Sequence, residues 1–174
     1  ITSKEVKQLL DGIPEDVPVL IDEAYHHFVD DPAYATSIPY VLEGRQVIVA
    51  RTFSKIAGLA GMRLGYAVAP AELIQQMRNH GTGTINALVR FGGVASLRDI
   101  EAQATVKRMT LELRRKTTSE LEAMGHKVIP SEANFFMVGI KREVRPVIDE
   151  FHKKGVLVGR AFPPMLEHLR VSVG

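Results

Sequence analysis

Residues 47–66 read VIVARTFSKIAGLAGMRLGY, and the interpretation of the whole chain starts from this stretch. Its first four residues form an apolar run that is typical of a buried strand, and its second half is a loop marked by glycines. Two hydroxyls, one lysine and one arginine therefore gather where a strand ends: Thr52, Ser54, Lys55 and Arg63. A lysine is unusual in such a place.

Lys55 has two possible roles. It can bury its stem and keep its ammonium in water, as many lysines do. Burial or a nearby cation such as Arg63 would instead disfavour the ammonium form, and a free amine is a nucleophile for carbonyl groups. Thr52 and Ser54 offer hydroxyl donors to an anion, and the guanidinium fork of Arg63 suits a phosphate. Together these residues predict a site for a phosphorylated ligand that carries an aldehyde.

Composition excludes several classes of function. The chain has 174 residues, with 22 basic against 20 acidic side chains, so no strong field indicates nucleic acid or a membrane surface. It has no cysteine, which excludes a disulfide framework and cysteine-based metal sites. No apolar run approaches the roughly 18 residues that cross a bilayer. We therefore expect a soluble, cytoplasmic protein.

Strand and helix patterns alternate in the first half of the chain. Thr2 and Glu5 form a capping-box pattern ahead of a first helix. Apolar runs that are typical of buried strands occupy residues 17–21, 46–50 and 64–69. This pattern predicts an α/β fold with a mainly parallel sheet, in which sites lie at the carboxyl ends of the strands. Asp22 and Lys55 each follow such an end.

The spacing of apolar residues changes near residue 98. Residues 101–124 carry apolar side chains every three or four positions, which predicts a long amphipathic helix. Strands are predicted at 128–129, 135–138, 156–158 and 169–173, with a helix near 144–151. We therefore predict two domains. Residues 1–98 are the C-terminal part of a larger domain, and residues 99–174 form a small α+β domain.

Asp22 is a candidate ligand residue outside the opening stretch. Judged alone, it is also consistent with a helix cap or a turn. Its functional interpretation is a buried carboxylate that keeps the nitrogen of a pyridine ring protonated, so that the ring can draw electrons from a substrate carbanion. Tyr25 lies three residues on and can present its phenol to the same ligand.

Two arginines are candidates in the second half. Arg170 lies within a predicted strand and can simply extend to solvent. Its alternative role is a bidentate clamp on a carboxylate, for which the guanidinium is the geometric match. Arg160, beside Phe162, is a weaker candidate for the same pocket.

Other polar motifs carry less chemistry. His26 and His27 invite a metal hypothesis, but adjacent residues do not converge on one side of a helix or strand, so we predict no metal site. Residues 81–83, Gly-Thr-Gly, are only a turn signal, because no strand, glycine loop and helix surround them.

The ordered motifs resemble the class I/II aminotransferases with the type I pyridoxal-phosphate fold. They are DEAY at 22–25, TFSK at 52–55 with Arg63 eight residues later, and LRVSVG at 169–174. The branch of histidinol-phosphate aminotransferases is the most similar, and SEANFF at 131–136 resembles that branch too. The resemblance covers essentially the whole chain.

The resemblance implies a role for each matching residue. Lys55 would bond to the aldehyde of pyridoxal 5'-phosphate and move the proton between substrate and cofactor. Asp22 would bind the ring nitrogen and Tyr25 the ring oxygen, while Thr52, Ser54 and Arg63 would hold the phosphate. Arg170 would hold the substrate α-carboxylate, with Arg160 and Asn134 as further pocket residues. The implied partners are a small-molecule amino donor, a 2-oxo acid and a second subunit in a homodimer, in amino-acid biosynthesis.

Family motifs that normally precede these are missing. They include an asparagine that touches the cofactor ring, an aromatic residue that stacks on it and a turn that holds its phosphate. We therefore expect the chain to be the C-terminal part of a longer enzyme, and the isolated chain not to catalyse transamination.

Two alternatives stay open. Threonine-phosphate decarboxylases of the same fold share much of this pattern and differ mainly in which substrate bond is held perpendicular to the ring. A non-catalytic binding module is the other alternative, but it would need no lysine opposite Asp22.

Overall fold

The computed structural model describes residues 1–81 and 83–174, so Thr82 of the predicted Gly-Thr-Gly turn lies outside the described residues. Contacts divide the chain into two compact units, Ile1–Gln103 and Ala104–Gly174. The predicted boundary between domains near residue 98 stays a prediction. In the described residues, no helix is both long and apolar enough to cross a membrane.

The first unit is built on a three-stranded sheet in the order β1-β2-β3. Its strands are β1 (Val19–Asp22), β2 (Val47–Thr52) and β3 (Gly65–Val68). Its helices are α1 (Ser3–Asp11), α2 (Ile38–Leu42), α3 (Ala71–Arg78), α4 (Ala87–Arg98) and the start of α5 (Ile100–Ala123). The α/β fold predicted from the sequence is confirmed.

The sheet is mixed, although a mainly parallel one was predicted. Strand β1 runs parallel to β2, whereas β3 runs antiparallel to β2. A parallel return needs a long crossover, usually through an α-helix. Only a loop with a short 3-10 turn at Ala60–Met62 joins β2 to β3, so the chain turns back antiparallel.

Helix α1 covers one face of this sheet. Thr2 caps it, accepting from Glu5 N, while Glu5 accepts in return from Thr2 N, as the capping-box pattern predicts. Val6 and Leu10 are buried one helical turn apart and pack with Val47 and Val49 of β2. This core leaves the ends of β1 and β2 free to carry polar residues.

The second unit is a small antiparallel sheet with helices, which agrees with the α+β organisation predicted. Its strands β4 (Lys127–Ile129), β5 (Phe135–Gly139) and β6 (His168–Ser172) lie in sequence order, and each pair is antiparallel. The rest of α5 and helix α6 (Val144–Lys153) complete it. Phe136, Val138 and Val173 form its core.

The predicted strand at 156–158 is wrong. This segment has no ladder partner, and Val156 and Leu157 are 46% and 80% exposed. Gly155, at φ 73°, ends the turn after α6, and Val156 N donates to Phe151 O at 3.0 Å. The apolar run is therefore the connection after a helix rather than a strand.

Candidate active site

The ends of β1 and β2 meet at one edge of the sheet. Asp22 is the last residue of β1 and pairs with Ala50, two residues before Thr52 at the end of β2. Side chains alternate along a strand, so Asp22 and Thr52 project from the same face of the sheet. Two of the predicted ligand residues are thus brought together by strand register alone.

Asp22 is exposed, whereas a buried carboxylate was expected from the sequence. Its Oδ1 accepts from Ala24 N at 2.9 Å, which fixes the turn after the strand. Leu20, on the same face of β1, is 64% exposed, so this face is open to solvent. The carboxylate is oriented by the turn and is accessible from the sheet face.

The loop after β2 is anchored on both sides of Lys55. Thr52 Oγ1 accepts from Ser54 N at 3.0 Å, and Phe53 N donates to Leu64 O at 3.1 Å. Phe53 and Ile56 are buried. Ser54 and Lys55, lying between these anchors, are half-buried.

Lys55 and Tyr25 meet across the two strand ends. The Nζ atom of Lys55 lies 5.1 Å from the centroid of the Tyr25 ring, within the range of a cation–π contact. In the described part of the chain, no carboxylate forms an ion pair with Lys55. The amine is therefore held beside an aromatic ring rather than neutralised by an acid.

Arg63 lies at the far end of the loop in a strained conformation. Its φ of 53° and ψ of 45° place it in the left-handed region, which non-glycine residues rarely adopt. The side chain is exposed, and Nη1 donates to Ala60 O at 2.8 Å. Such strain persists where the surrounding structure enforces it, often at binding sites.

A buried ion pair lies beneath these residues, and the sequence reasoning missed it. Glu23 is 4% exposed, and its Oε2 lies 2.8 Å from Arg51 Nη2. Burial alone would raise the pKa of Glu23, but hydrogen bonds from Ser37, Arg51 and Thr36 outweigh it and lower that pKa. The alternation of side chains along β2 could have predicted this pair. Arg51 lies on the same face as the core residues Val47 and Val49, and a buried charge needs a partner.

The second unit holds the other candidates around two aromatic rings. The guanidinium carbon of Arg170 lies 3.8 Å from the centroid of Phe135 and 5.3 Å from that of Phe162. Arg160 lies 4.5 Å from the same Phe162 ring. Arg160 also lines a depression of about 410 Å³, together with Arg145, Ile148, Asp149 and Ala161.

Asn134 contributes its backbone to the same unit. Its carbonyl accepts from Val173 N at 2.8 Å, just beyond the β5-β6 ladder. His26 and His27, in the first unit, lie against each other with their Nε2 atoms 3.1 Å apart. In residues 1–81 and 83–174 no cluster of three histidine or acidic side chains could hold a metal ion.

Known proteins resemble this chain along most of its length. A histidinol-phosphate aminotransferase of Moorella thermoacetica is 40% identical over 155 residues, covering 86% of this chain and 40% of the relative. Histidinol-phosphate aminotransferase 2 of Carboxydothermus hydrogenoformans is 36% identical and covers all of this chain and 49% of the relative. The chain thus spans about half the length of these relatives.

Solved structures share the fold. A candidate histidinol-phosphate aminotransferase from Erwinia carotovora atroseptica matches with a TM-score of 0.95 at 31% identity, over all of this chain and 51% of that one. The Sinorhizobium meliloti histidinol-phosphate aminotransferase, solved with pyridoxal-5'-phosphate, matches with a TM-score of 0.87 at 24% identity, over 99% of this chain and 48% of its own. The second likeness bears on the fold alone.

The family model for class I and II aminotransferases matches residues 1–174, the whole sequence. Asp22, Tyr25, Thr52 and Lys55, which carry part of the resemblance, lie near the strand ends of the first unit. The chain therefore belongs to the class I and II aminotransferases.

Proposed function

We propose that this chain is the C-terminal part of a pyridoxal-phosphate-dependent aminotransferase of the histidinol-phosphate aminotransferase branch. The enzyme moves an amino group from an amine or amino acid to a 2-oxo acid, in amino-acid biosynthesis. One observation supports this most strongly. Lys55 Nζ lies 5.1 Å from the Tyr25 ring, at the sheet edge where Asp22 and Thr52 share a face.

The residues at this edge fit pyridoxal 5'-phosphate chemically. The residues that would hold it are an amine for the aldehyde, a carboxylate for the ring nitrogen, a phenol for the ring oxygen, and two hydroxyls with a guanidinium for the phosphate: Lys55, Asp22, Tyr25, Thr52, Ser54 and Arg63. When bound, the cofactor supplies an electron sink for a carbanion next to the amine nitrogen of the substrate.

Lys55 is the residue that we assign to covalent binding and proton transfer. Its side chain is half-buried beside Tyr25, and no carboxylate among the described residues pairs with it. As a free amine, Nζ would be the atom that holds the cofactor covalently through its aldehyde. The same nitrogen would serve as the base that takes a proton from a substrate carbon and returns it elsewhere.

Asp22 and the phosphate ligands orient the ligand rather than react. The Asp22 carboxylate, held by its bond from Ala24 N, favours the protonated form of a ring nitrogen placed against it. Thr52 Oγ1 accepts from Ser54 N, which fixes the turn and leaves the Thr52 O–H, the Ser54 hydroxyl and the exposed Arg63 guanidinium as donors for a phosphate.

Arg170 is assigned to the substrate carboxylate or phosphate. Stacking on Phe135 fixes the plane of its guanidinium, and its buried Nε has no hydrogen-bond partner among the described residues. A buried donor without a partner is costly, and an anionic substrate group would meet that cost. Arg160 and Asn134 complete the proposed pocket, and a homodimer is the proposed assembly.

Amino-group transfer by the full-length enzyme tests this proposal. We expect that, with histidinol phosphate and 2-oxoglutarate, the 2-oxo acid gains an amino group and no carbon dioxide is released from any amino-acid substrate. Release of carbon dioxide without amino transfer would favour a decarboxylase of the same fold. Absence of both reactions, with any amine tried, would contradict the proposal.

A further inference from the structure

The buried ion pair lies on the opposite side of the sheet from the proposed site. Glu23 follows Asp22, and Arg51 precedes Thr52, so alternation places this pair on the core face beneath the two ligand residues. Arg51 Nε and Nη2 both donate to Glu23 Oε2, at 3.1 and 2.8 Å. The Glu23 and Arg51 side chains are only 3% and 12% exposed.

The pair is fully connected to its surroundings. Ser37 N donates to Glu23 Oε1 at 2.6 Å, and Thr36 Oγ1 lies 2.9 Å from Oε2. Arg51 Nη2 also donates to Thr36 Oγ1 at 2.8 Å. The network therefore joins three segments: the end of β1, the turn before α2 and the end of β2.

Net stability is a weak explanation for such a pair. Removing two charges from water costs about as much as their attraction returns, and apolar replacements of similar volume are often neutral or stabilising. Geometry is the stronger explanation. Glu23 N also donates to Ala50 O at 2.9 Å, so backbone and side chains fix β1 against β2 at the point where the ligand residues begin.

We propose that the Glu23–Arg51 pair is a positioning element that holds Asp22, at the end of β1, in register with Thr52 and Lys55, which follow β2. This role rests on the proposed function. The two strand ends carry groups for opposite parts of one ring, the nitrogen and the aldehyde. A shift of about 1 Å between them would misplace one group, and such errors can cost on the order of 10²-fold in rate.

The experiment uses the full-length enzyme with Glu23→Gln, Arg51→Met and the double variant. Gln keeps an acceptor for Ser37 N, and Met keeps most of the volume of Arg51. The matched control is Glu150→Gln, which removes a carboxylate from the exposed pair between Arg142 and Glu150. The readouts are the melting temperature, the split between kcat and KM, and the pH midpoint of the absorption of the bound cofactor.

We expect each single variant to lower the melting temperature, because it leaves one charge or donor set buried and unpaired. The double variant should recover the melting temperature. Its kcat should stay roughly 10- to 100-fold below the parent with KM little changed, and its absorption midpoint should stay shifted. Glu150→Gln should match the parent in every readout.

Recovery of kcat and of the absorption midpoint in the double variant would overturn the positioning role and leave the pair purely structural. Unchanged kcat and midpoint in both single variants would overturn it too. If the parent enzyme shows no cofactor absorption that requires Lys55, the proposed function is overturned, and the positioning role falls with it.

Discussion

Tyr34 shows how one side chain can act against stability at the edge of the buried network. Its hydroxyl oxygen is buried and has no hydrogen-bond partner among the described residues. Burial, and then the nearby charge of Glu23, raise the pKa of Tyr34 to about 12. The neutral phenol is therefore strongly favoured, yet its polar group gains nothing from the protein.

Tyr34→Phe should stabilise the protein by about 1 kcal/mol, because it removes a buried polar group that has no partner. Chemical denaturation of both proteins measures the difference. Tyr40→Phe, at another half-buried tyrosine, is the control and should be close to neutral. A loss of 1 kcal/mol or more in Tyr34→Phe would show that the hydroxyl has a partner after all.

Glu23 should make the free energy of unfolding depend on pH in the acidic range. Its pKa is lowered from the ordinary value of 4.5, since the hydrogen bonds from Ser37, Arg51 and Thr36 outweigh the effect of burial. A lowered folded pKa means that the stabilisation is fully present above the unfolded value. It is lost as the pH falls through the lower folded value.

The measurement is the free energy of unfolding of the parent and of Glu23→Gln between pH 3 and pH 7. The parent should lose stability on acidification, and the variant should be weaker at neutral pH but less dependent on pH. Equal slopes for the two proteins would show that Glu23 does not carry the acid sensitivity.

Single residues also show the limits of sequence reasoning. The strand-end positions of Asp22 and Lys55 could be predicted because each follows an apolar run, whereas the roles assigned to Lys55, Tyr25, Asp22 and Thr52 stay predictions from the family resemblance. The exposure of Asp22 could not be predicted, because it depends on what covers one face of β1. Glu23 lies in the same motif, and its charge next to a buried strand is the sequence feature that indicates a buried partner.

At the scale of secondary structure elements, two adjacent glycines in α4 test the packing of this helix. A Cβ on Gly92 would meet nothing within 4 Å. A Cβ on Gly93 would lie 2.5 Å from Leu64 Cδ2 and 3.5 Å from Phe53 Cζ, both in buried side chains. There is therefore space for a Cβ at Gly92, whereas the side chains of Leu64 and Phe53 occupy that space at Gly93.

Gly92→Ala should stabilise the protein by about 0.5–1 kcal/mol, because alanine is the better helix former. Gly93→Ala should destabilise it by about 1–3 kcal/mol, since Leu64 must move within a packed site. Thermal or chemical unfolding measures both, and each variant is the control for the other. Equal effects would mean that α4 does not pack on Phe53 and Leu64.

Helices α1 and α5 were predictable because their signals are local. The capping box at Thr2 and the periodic apolar residues of α5 need no partner to be recognised. Whether β3 runs parallel or antiparallel, and whether residues 156–158 form a strand at all, depends on pairing with distant residues. A short apolar run alone does not contain that information.

At the scale of the whole molecule, several large apolar side chains are exposed. Leu88 and Phe91 of α4 are 76% and 71% exposed, and Leu20 of β1 is 64% exposed. Leu88 and Phe91 lie one helical turn apart on α4, and exposed apolar side chains that adjoin one another often mark an interface. The chain spans about half the length of its relatives, and the exposed face of α4 is consistent with the proposal that it is one part of a longer enzyme whose remainder covers this face.

The isolated 174-residue chain should therefore show no measurable transamination with cofactor, an amine donor and a 2-oxo acid. The full-length enzyme, assayed in parallel, should turn over. Comparable turnover by the isolated chain would show that its own residues suffice for the reaction. The family resemblance predicts that the isolated chain is inactive and the full-length enzyme is active. Composition alone indicates only a protein without a large net charge.

Covalent labelling of Lys55 tests the central claim most directly. The full-length enzyme is mixed with pyridoxal 5'-phosphate, reduced with borohydride and measured by intact-mass spectrometry, beside Lys55→Ala and the exposed control Lys4→Ala. We predict one cofactor group per chain in the parent and in Lys4→Ala, and none in Lys55→Ala. Labelling that persists without Lys55, or a parent that takes up no cofactor, would contradict the assignment of this lysine.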